Sequence, residues 1–192
     1  MIVSKEVKNT LIMTVIALCF GLLLGVVHEI TSEAIRVQNE KALNEAYRSV
    51  LSEAETFEDT GAESVANADL DANIDSVLSA LDASGENVGY VINVTSHGGY
   101  GGDITFSIGV DADGSIEGIS ITSIDETPGL GMNAKTDPTW LPQFYGQDSS
   151  TEFVLGDNVQ AISSATFTSK CVTRGVNAGM AYYNENLAGG EE

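Results

Sequence analysis

The chain has 192 residues, 43% of them apolar and 19% charged, with only 3 prolines; it therefore holds one or two packed domains and is not a disordered chain, a collagen or a disulfide-stapled mini-protein. Its 28 acidic against 8 basic residues leave a formal charge of -20, which repels a phosphate backbone and argues against nucleic acid as a partner.

The first element is an apolar run, LIMTVIALCFGLLLGVV from Leu11 to Val27, which carries no charge. As a helix it covers roughly 25 Å, a short membrane span that ordered flanks complete. Lys5 and Lys8 precede it and Glu29, Glu33 and Glu40 follow, so the positive-inside rule predicts a cytoplasmic N-terminus and an extracytoplasmic bulk. A cleaved signal peptide shares the basic start and apolar stretch. No convincing small-x-small cleavage site follows Val27, however, and Leu18 stands where a lipoprotein site before Cys19 needs a small residue. The run leads into Ile30, Ala34, Val37, Leu43, Ala46, Tyr47, Val50 and Leu51 at helical spacing. An uncleaved single-pass anchor in membrane lipid is the favoured reading.

No Lys or Arg occurs between Arg48 and Lys135, an interval with sixteen Asp or Glu, so the outer part presents a negative, soluble face. Residues 52–86 are polar and acidic, and Ile74, Val77, Leu78 and Leu81 in them predict loop with a short helix, a variable surface insert. Alternation then takes over in Val88, Tyr90, Ile92 and Val94, in Ile104, Phe106, Ile108 and Val110, and in Ile116, Ile119 and Ile121. These are three antiparallel strands. Asp111-Ala112-Asp113-Gly114 between two of them is a hairpin turn, lacking the later ligands of a calcium loop. Val172, Val176, Met180 and Tyr183 predict a final helix, with Gly175 and Gly179 permitting close packing. The fold class expected is α+β, with helices over one face of an antiparallel sheet.

With Cys19 in the greasy run and Cys171 in the polar domain, no bridge joins the two cysteines. Without a Cys-x-x-Cys, and with only His28 and His97, there is no ligand set for zinc or iron-sulfur.

Three loops carry the remaining chemistry. His97-Gly98-Gly99-Tyr100-Gly101-Gly102 allows positive φ and close backbone approach, or is simply a flexible connection. Glu126-Thr127-Pro128-Gly129-Leu130-Gly131 is a tight turn that leaves apolar surface and free backbone donors for a flat heterocycle. Ser163-Ser164-Ala165-Thr166-Phe167-Thr168-Ser169 opens the last helix with small side chains and hydroxyls, which suits a phosphate at a helix N-terminus as well as ordinary capping.

In order and spacing these motifs, with the N-terminal span and Asn39-Glu40-Lys41-Ala42-Leu43, resemble RnfG, the membrane-anchored FMN-binding member of the Rnf electron transport complex, a relative of NqrC in the sodium-pumping NADH:quinone oxidoreductase. The resemblance covers most of the chain. It implies FMN held by a phosphoester to the threonine closing an Asp-x-x-Ser/Thr-Gly-Ala-Thr motif, here Thr166 in Gln160-Ala161-Ile162-Ser163-Ser164-Ala165-Thr166. Gln160 stands where that motif prefers Asp, and Ser164 where it prefers Gly. It implies further that Ser163, Ala165 and Thr168 support the phosphate and that Gly101, Gly102, Gly129, Leu130 and Gly131 pack around the ring. Tyr100, Glu126, Thr127 and Ser164 complete the implied cofactor-binding set, with no catalytic residue and no metal ligand in this chain. A separate flavin transferase, using FAD and magnesium, would attach the FMN.

The chain is expected to divide into a cytoplasmic N-terminus (1–9), a transmembrane helix (10–28), a membrane-proximal helix (29–52), an acidic variable insert (53–86) and a domain (87–190) that the resemblance implies is FMN-binding. Its implied function is an electron-carrier subunit, incomplete as an enzyme alone, in ferredoxin:NAD⁺ electron transfer coupled to Na⁺ or H⁺ translocation together with other Rnf subunits. Two alternatives stand beside it: the FMN subunit of the related quinone-reducing pump or of an extracytoplasmic reductase, and a membrane-anchored, non-redox binding or structural domain.

Overall fold

The computed structural model describes residues 5–188; residues 1–4 of the expected cytoplasmic N-terminus and 189–190 of the expected FMN-binding domain lie outside the described residues. The chain divides into two units between Leu43 and Asn44.

Helix α1 runs over Lys5–Val50 as one element, so the transmembrane and membrane-proximal helices expected at 10–28 and 29–52 are a single 46-residue helix. Within it, Val7–Ser32 is long and apolar enough to cross a bilayer, and none of its most apolar window is buried by protein. A core helix would be covered, whereas here Leu11, Met13, Leu22 and Leu24 all stand exposed. Its hydroxyls are satisfied internally: Thr14 donates to the Thr10 carbonyl and Thr31 to that of Val27, as a helix in hydrocarbon requires. This segment is a single-pass membrane anchor.

The second unit is built on a six-stranded antiparallel sheet. Strands β1 (Thr56–Asp59) and β2 (Val65–Asn67) both pair with β3 (Ala72–Leu81). The sheet then continues in order through β4 (Asn87–Ser96), β5 (Ile104–Asp111) and β6 (Ile116–Ser123). Alternation predicts only the last three of these, and the other three lie in the stretch expected to be loop and short helix. The reason is a bulge: the β3–β4 register shifts between Ile74 and Ser76, so Ile74 and Val77 reach the same core at a spacing of three, which mimics a helix. The hairpin turn after β5 is as expected, with the N–H of Gly114 on the Asp111 carbonyl and the N–H of Ser115 on the Asp111 carboxylate.

Alternation along β4 sends Ile92, Val94 and Ser96 to one face, where the final helix α3 (Thr166–Asn186) covers them. Gly175 lets the helix backbone approach Phe106 and Ser96, and Gly179 does the same over Ile108; an added Cβ at either would sit 2.6 Å from a core carbon. The opposite face is covered too, which corrects the one-sided arrangement expected. Val91 and Ala80 pack there with Tyr47, Val50, Leu51 and Ala54. Asn93, at the centre of that face, donates to the Tyr47 hydroxyl and to Ser76 Oγ and accepts from Ser107, so its amide is satisfied.

The docking point of Val50 is a flat patch made by Gly109 and Gly118, partners across β5 and β6. A Cβ on Gly109 would lie 2.2 Å from the Val50 carbonyl oxygen, which no rotamer change relieves. Gly109→Ala is therefore expected to destabilise the domain by about 1–3 kcal/mol. Denaturant unfolding of the detergent-solubilised chain, read by the fluorescence of its one tryptophan, Trp140, measures this; an unshifted midpoint contradicts the packing described.

Candidate functional site

Antiparallel pairing brings the three motif loops to one end of the sheet. Ser96 at the end of β4 pairs with Ile104 at the start of β5, and Thr105 pairs with Ser123 at the end of β6. The first turns of α3 are tied to the same end, since Ser96 Oγ donates to the Cys171 carbonyl and Cys171 Sγ donates to the Ser96 and His97 carbonyls. Burial pushes the Cys171 thiol above its ordinary pKa, so it is a packing residue in the protonated form.

The loops lock together through Glu126, a residue only 7% exposed. Its Oε1 accepts the main-chain N–H of Tyr100 at 2.8 Å, which joins the first loop to the second. Gly131 closes the arrangement: a Cβ there would lie 2.6 Å from Glu126 Oε2 and 2.6 Å from Thr168 Oγ1 on α3. Gly101 is pressed against the Asp125 carbonyl, where a Cβ would come within 1.8 Å of oxygen. The second loop is a turn in which the Leu130 N–H bonds the Thr127 carbonyl, with Gly129 at φ 79° as the residue that such a Pro-Gly turn requires. It passes into the short helix α2 (Asn133–Thr136).

A cleft of about 300 Å³ opens where the loops meet. It is lined by Tyr100, Glu126, Thr127, Leu130 and Gly131 from the first two loops and by Ser164, Ala165, Thr166 and Thr168 from the third. Phe167, which the motif pattern does not single out, lines it as well. Next to it a larger hollow of about 730 Å³ is bounded by Leu130 and Ser164, shared with the first, and by Gly129, Asn133, Asp137, Trp140, Gln143 and Ser163 among others. Trp140, just before the 3₁₀ turn Leu141–Phe144, donates its indole N–H to the Gln160 carbonyl at 2.7 Å, and Gln143 Oε1 accepts the Gln160 N–H. The Gln160 backbone is thus fixed while its side chain is exposed. Of the expected residues, Gly101 and Gly102 line neither hollow; Gly101 serves loop contact instead.

The start of α3 is chemically suited to an anion. Its N-cap is Ala165, with no side-chain hydrogen bond capping it, so the first N–H groups and the positive end of the helix dipole are presented at the cleft. Thr166, the first helical residue, is exposed. Ser169 holds the approach in place, accepting the Ile162 N–H and donating to the Ala165 carbonyl. Ser164 has φ 62°, one of two non-glycine residues described with positive φ. The glycine preferred at this position thus has a conformational basis, and serine occupies the same backbone state at a cost. An aromatic-and-glycine cleft ending on exposed hydroxyls at an uncapped helix start fits a flat heterocycle carrying a phosphate.

Residues 99–181 match the family model described as FMN-binding domain. The fold and site therefore define an FMN-binding domain behind a membrane anchor. Over 94% of this chain and 92% of the relative, the sequence is 34% identical to the G subunit of the Na(+)-translocating ferredoxin:NAD(+) oxidoreductase complex of Acetobacterium woodii. It is 32% identical to the G subunit of the proton-translocating ferredoxin:NAD(+) oxidoreductase complex of Clostridium ljungdahlii, with 82% of each chain covered. A crystal structure of NqrC from Shewanella oneidensis aligns at 28% identity and a TM-score of 0.45 over 56% of this chain and 55% of that one. The chain belongs to the RnfG family, the G subunits of ion-translocating oxidoreductase complexes.

The left-handed backbone at Ser164 is open to direct test. Ser164→Gly is expected to be at least as stable as the parent, whereas the β-branched Ser164→Val is expected to lose about 1–2 kcal/mol. Denaturant midpoints of the three proteins decide it, and equal midpoints for the parent and Ser164→Val contradict the assigned φ.

Proposed function

We propose that this chain is the electron-carrier subunit of an Rnf-type complex, relaying electrons through FMN esterified to Thr166 during ferredoxin:NAD⁺ electron transfer coupled to Na⁺ or H⁺ translocation. The observation that carries the proposal is the exposed Thr166 hydroxyl at an uncapped helix start, facing a cleft built by the other two motif loops. Bound FMN supplies reversible electron transfer that no side chain here offers. The protein's part is to hold and place it.

The uncapped N–H groups of α3 and the hydroxyls of Ser163 and Thr168 receive the phosphate. Apart from Arg48, the basic residues of the domain are Lys135 on α2 and Lys170 and Arg174 on α3, on helices next to the cleft in an otherwise acidic domain. Tyr100, Glu126, Thr127, Leu130 and Gly131 hold the ring system, with Gly129 setting the turn and Gly101 and Gly102 shaping the neighbouring loop. The charge pattern around the anchor supports a cytoplasmic N-terminus and an extracytoplasmic domain, with the anchor itself in membrane lipid. On that side a dissociated cofactor would be lost by diffusion, which is the physical reason for an ester tether. Attachment calls for a flavin transferase drawing on FAD with magnesium, and the electron donor and acceptor are other members of the complex.

Protein co-expressed with a flavin transferase is expected to give a flavin-fluorescent band on a denaturing gel, and Thr166→Ala to remove it. A band that persists in Thr166→Ala rejects the attachment site; a colourless parent favours a non-redox surface domain.

A further inference from the structure

We propose that Phe167 is a positioning residue for the flavin, stacking on the ring tethered through its neighbour Thr166 and shielding one face from water. From residue 44 onward, the described residues include five exposed large hydrophobic side chains: Val65, Tyr100, Leu130, Val154 and Phe167. A single exposed phenylalanine is ordinary, but three of these five, Tyr100 at 78%, Leu130 at 41% and Phe167 at 67%, line one cleft of about 300 Å³. The polar residues Glu126, Thr127 and Thr168 line the same cleft. Apolar walls with a few polar groups suit a ligand with two apolar faces and a polar edge, which is the form of an isoalloxazine ring, better than they suit a broad protein surface. Phe167 lies in the first turn of α3 and contributes nothing to the buried core, so the fold does not account for an aromatic residue there.

The inference rests on the assignment of Thr166 as the attachment site, and the test separates the two. In flavin-loaded full-length protein, normalised to bound flavin, Phe167→Ala is expected to raise iodide quenching of flavin emission about 2- to 10-fold, the loss of one aromatic stacking contact. Phe167→Trp is expected to lower flavin emission several-fold, because an indole in contact with an excited flavin quenches it by electron transfer. Because the side chain is exposed, both variants keep the fold, which the unfolding midpoint verifies. A loaded parent whose emission and iodide accessibility are unchanged in both variants overturns the role of Phe167 alone. If the parent gives no fluorescent band on a denaturing gel, the attachment reading is overturned and this one with it.

Discussion

The buried carboxylate of Glu126 is the contact on which the rest of the site depends. It accepts the Tyr100 N–H from one glycine-rich loop and lies against Gly131 of another, and the absent side chain of Gly131 lets both approach Thr168 at the start of α3. Three segments separated widely in sequence thereby share one cleft. The glycines act in two ways: Gly131 and Gly101 through missing bulk, Gly129 through its positive φ. The sheet sets the distance over which these loops converge, and the helix covering it sets the direction from which the hydroxyls of residues 163–168 arrive.

Much of this is legible in the amino-acid pattern because the local rules agree with the fold. Alternation marks β4, β5 and β6, and the spacing of Val172, Val176, Met180 and Tyr183 marks α3 with the glycines that let it lie close to the sheet. The three loops are recognisable by glycine content and small hydroxyl residues, but their meeting point is not, since it rests on pairing at the end of the sheet. The stretch 53–86 misleads because the β3 bulge puts Ile74 and Val77 at helical spacing and because its acidic residues suggest a solvated insert. Coverage of the second face is hidden for another reason. Its signal is absence, the facing pair Gly109 and Gly118, and empty positions carry no periodicity. Phe167 escapes notice because it occupies the variable place in its motif, where only its exposure and its neighbours in the cleft give it meaning.

An acidic domain follows a single apolar helix, and its family relatives are named as parts of ion-translocating oxidoreductases. In the proposed arrangement the protein contributes geometry: an anion site at a helix start, a cleft walled by Tyr100, Leu130 and Phe167, and a tether that keeps one cofactor at a fixed station between other members of the complex. At the two positions where the resemblance leads one to expect Asp and Gly, the Gln160 backbone is held by Trp140 and Gln143 and Ser164 adopts the left-handed state.

Peptide mass spectrometry of protein purified from its native membrane reads the proposed ester at Thr166 without an intermediary. The peptide containing Thr166 is expected to carry the added mass of FMN less one water, localised by fragmentation to that threonine. Quantitative recovery of the unmodified peptide contradicts it.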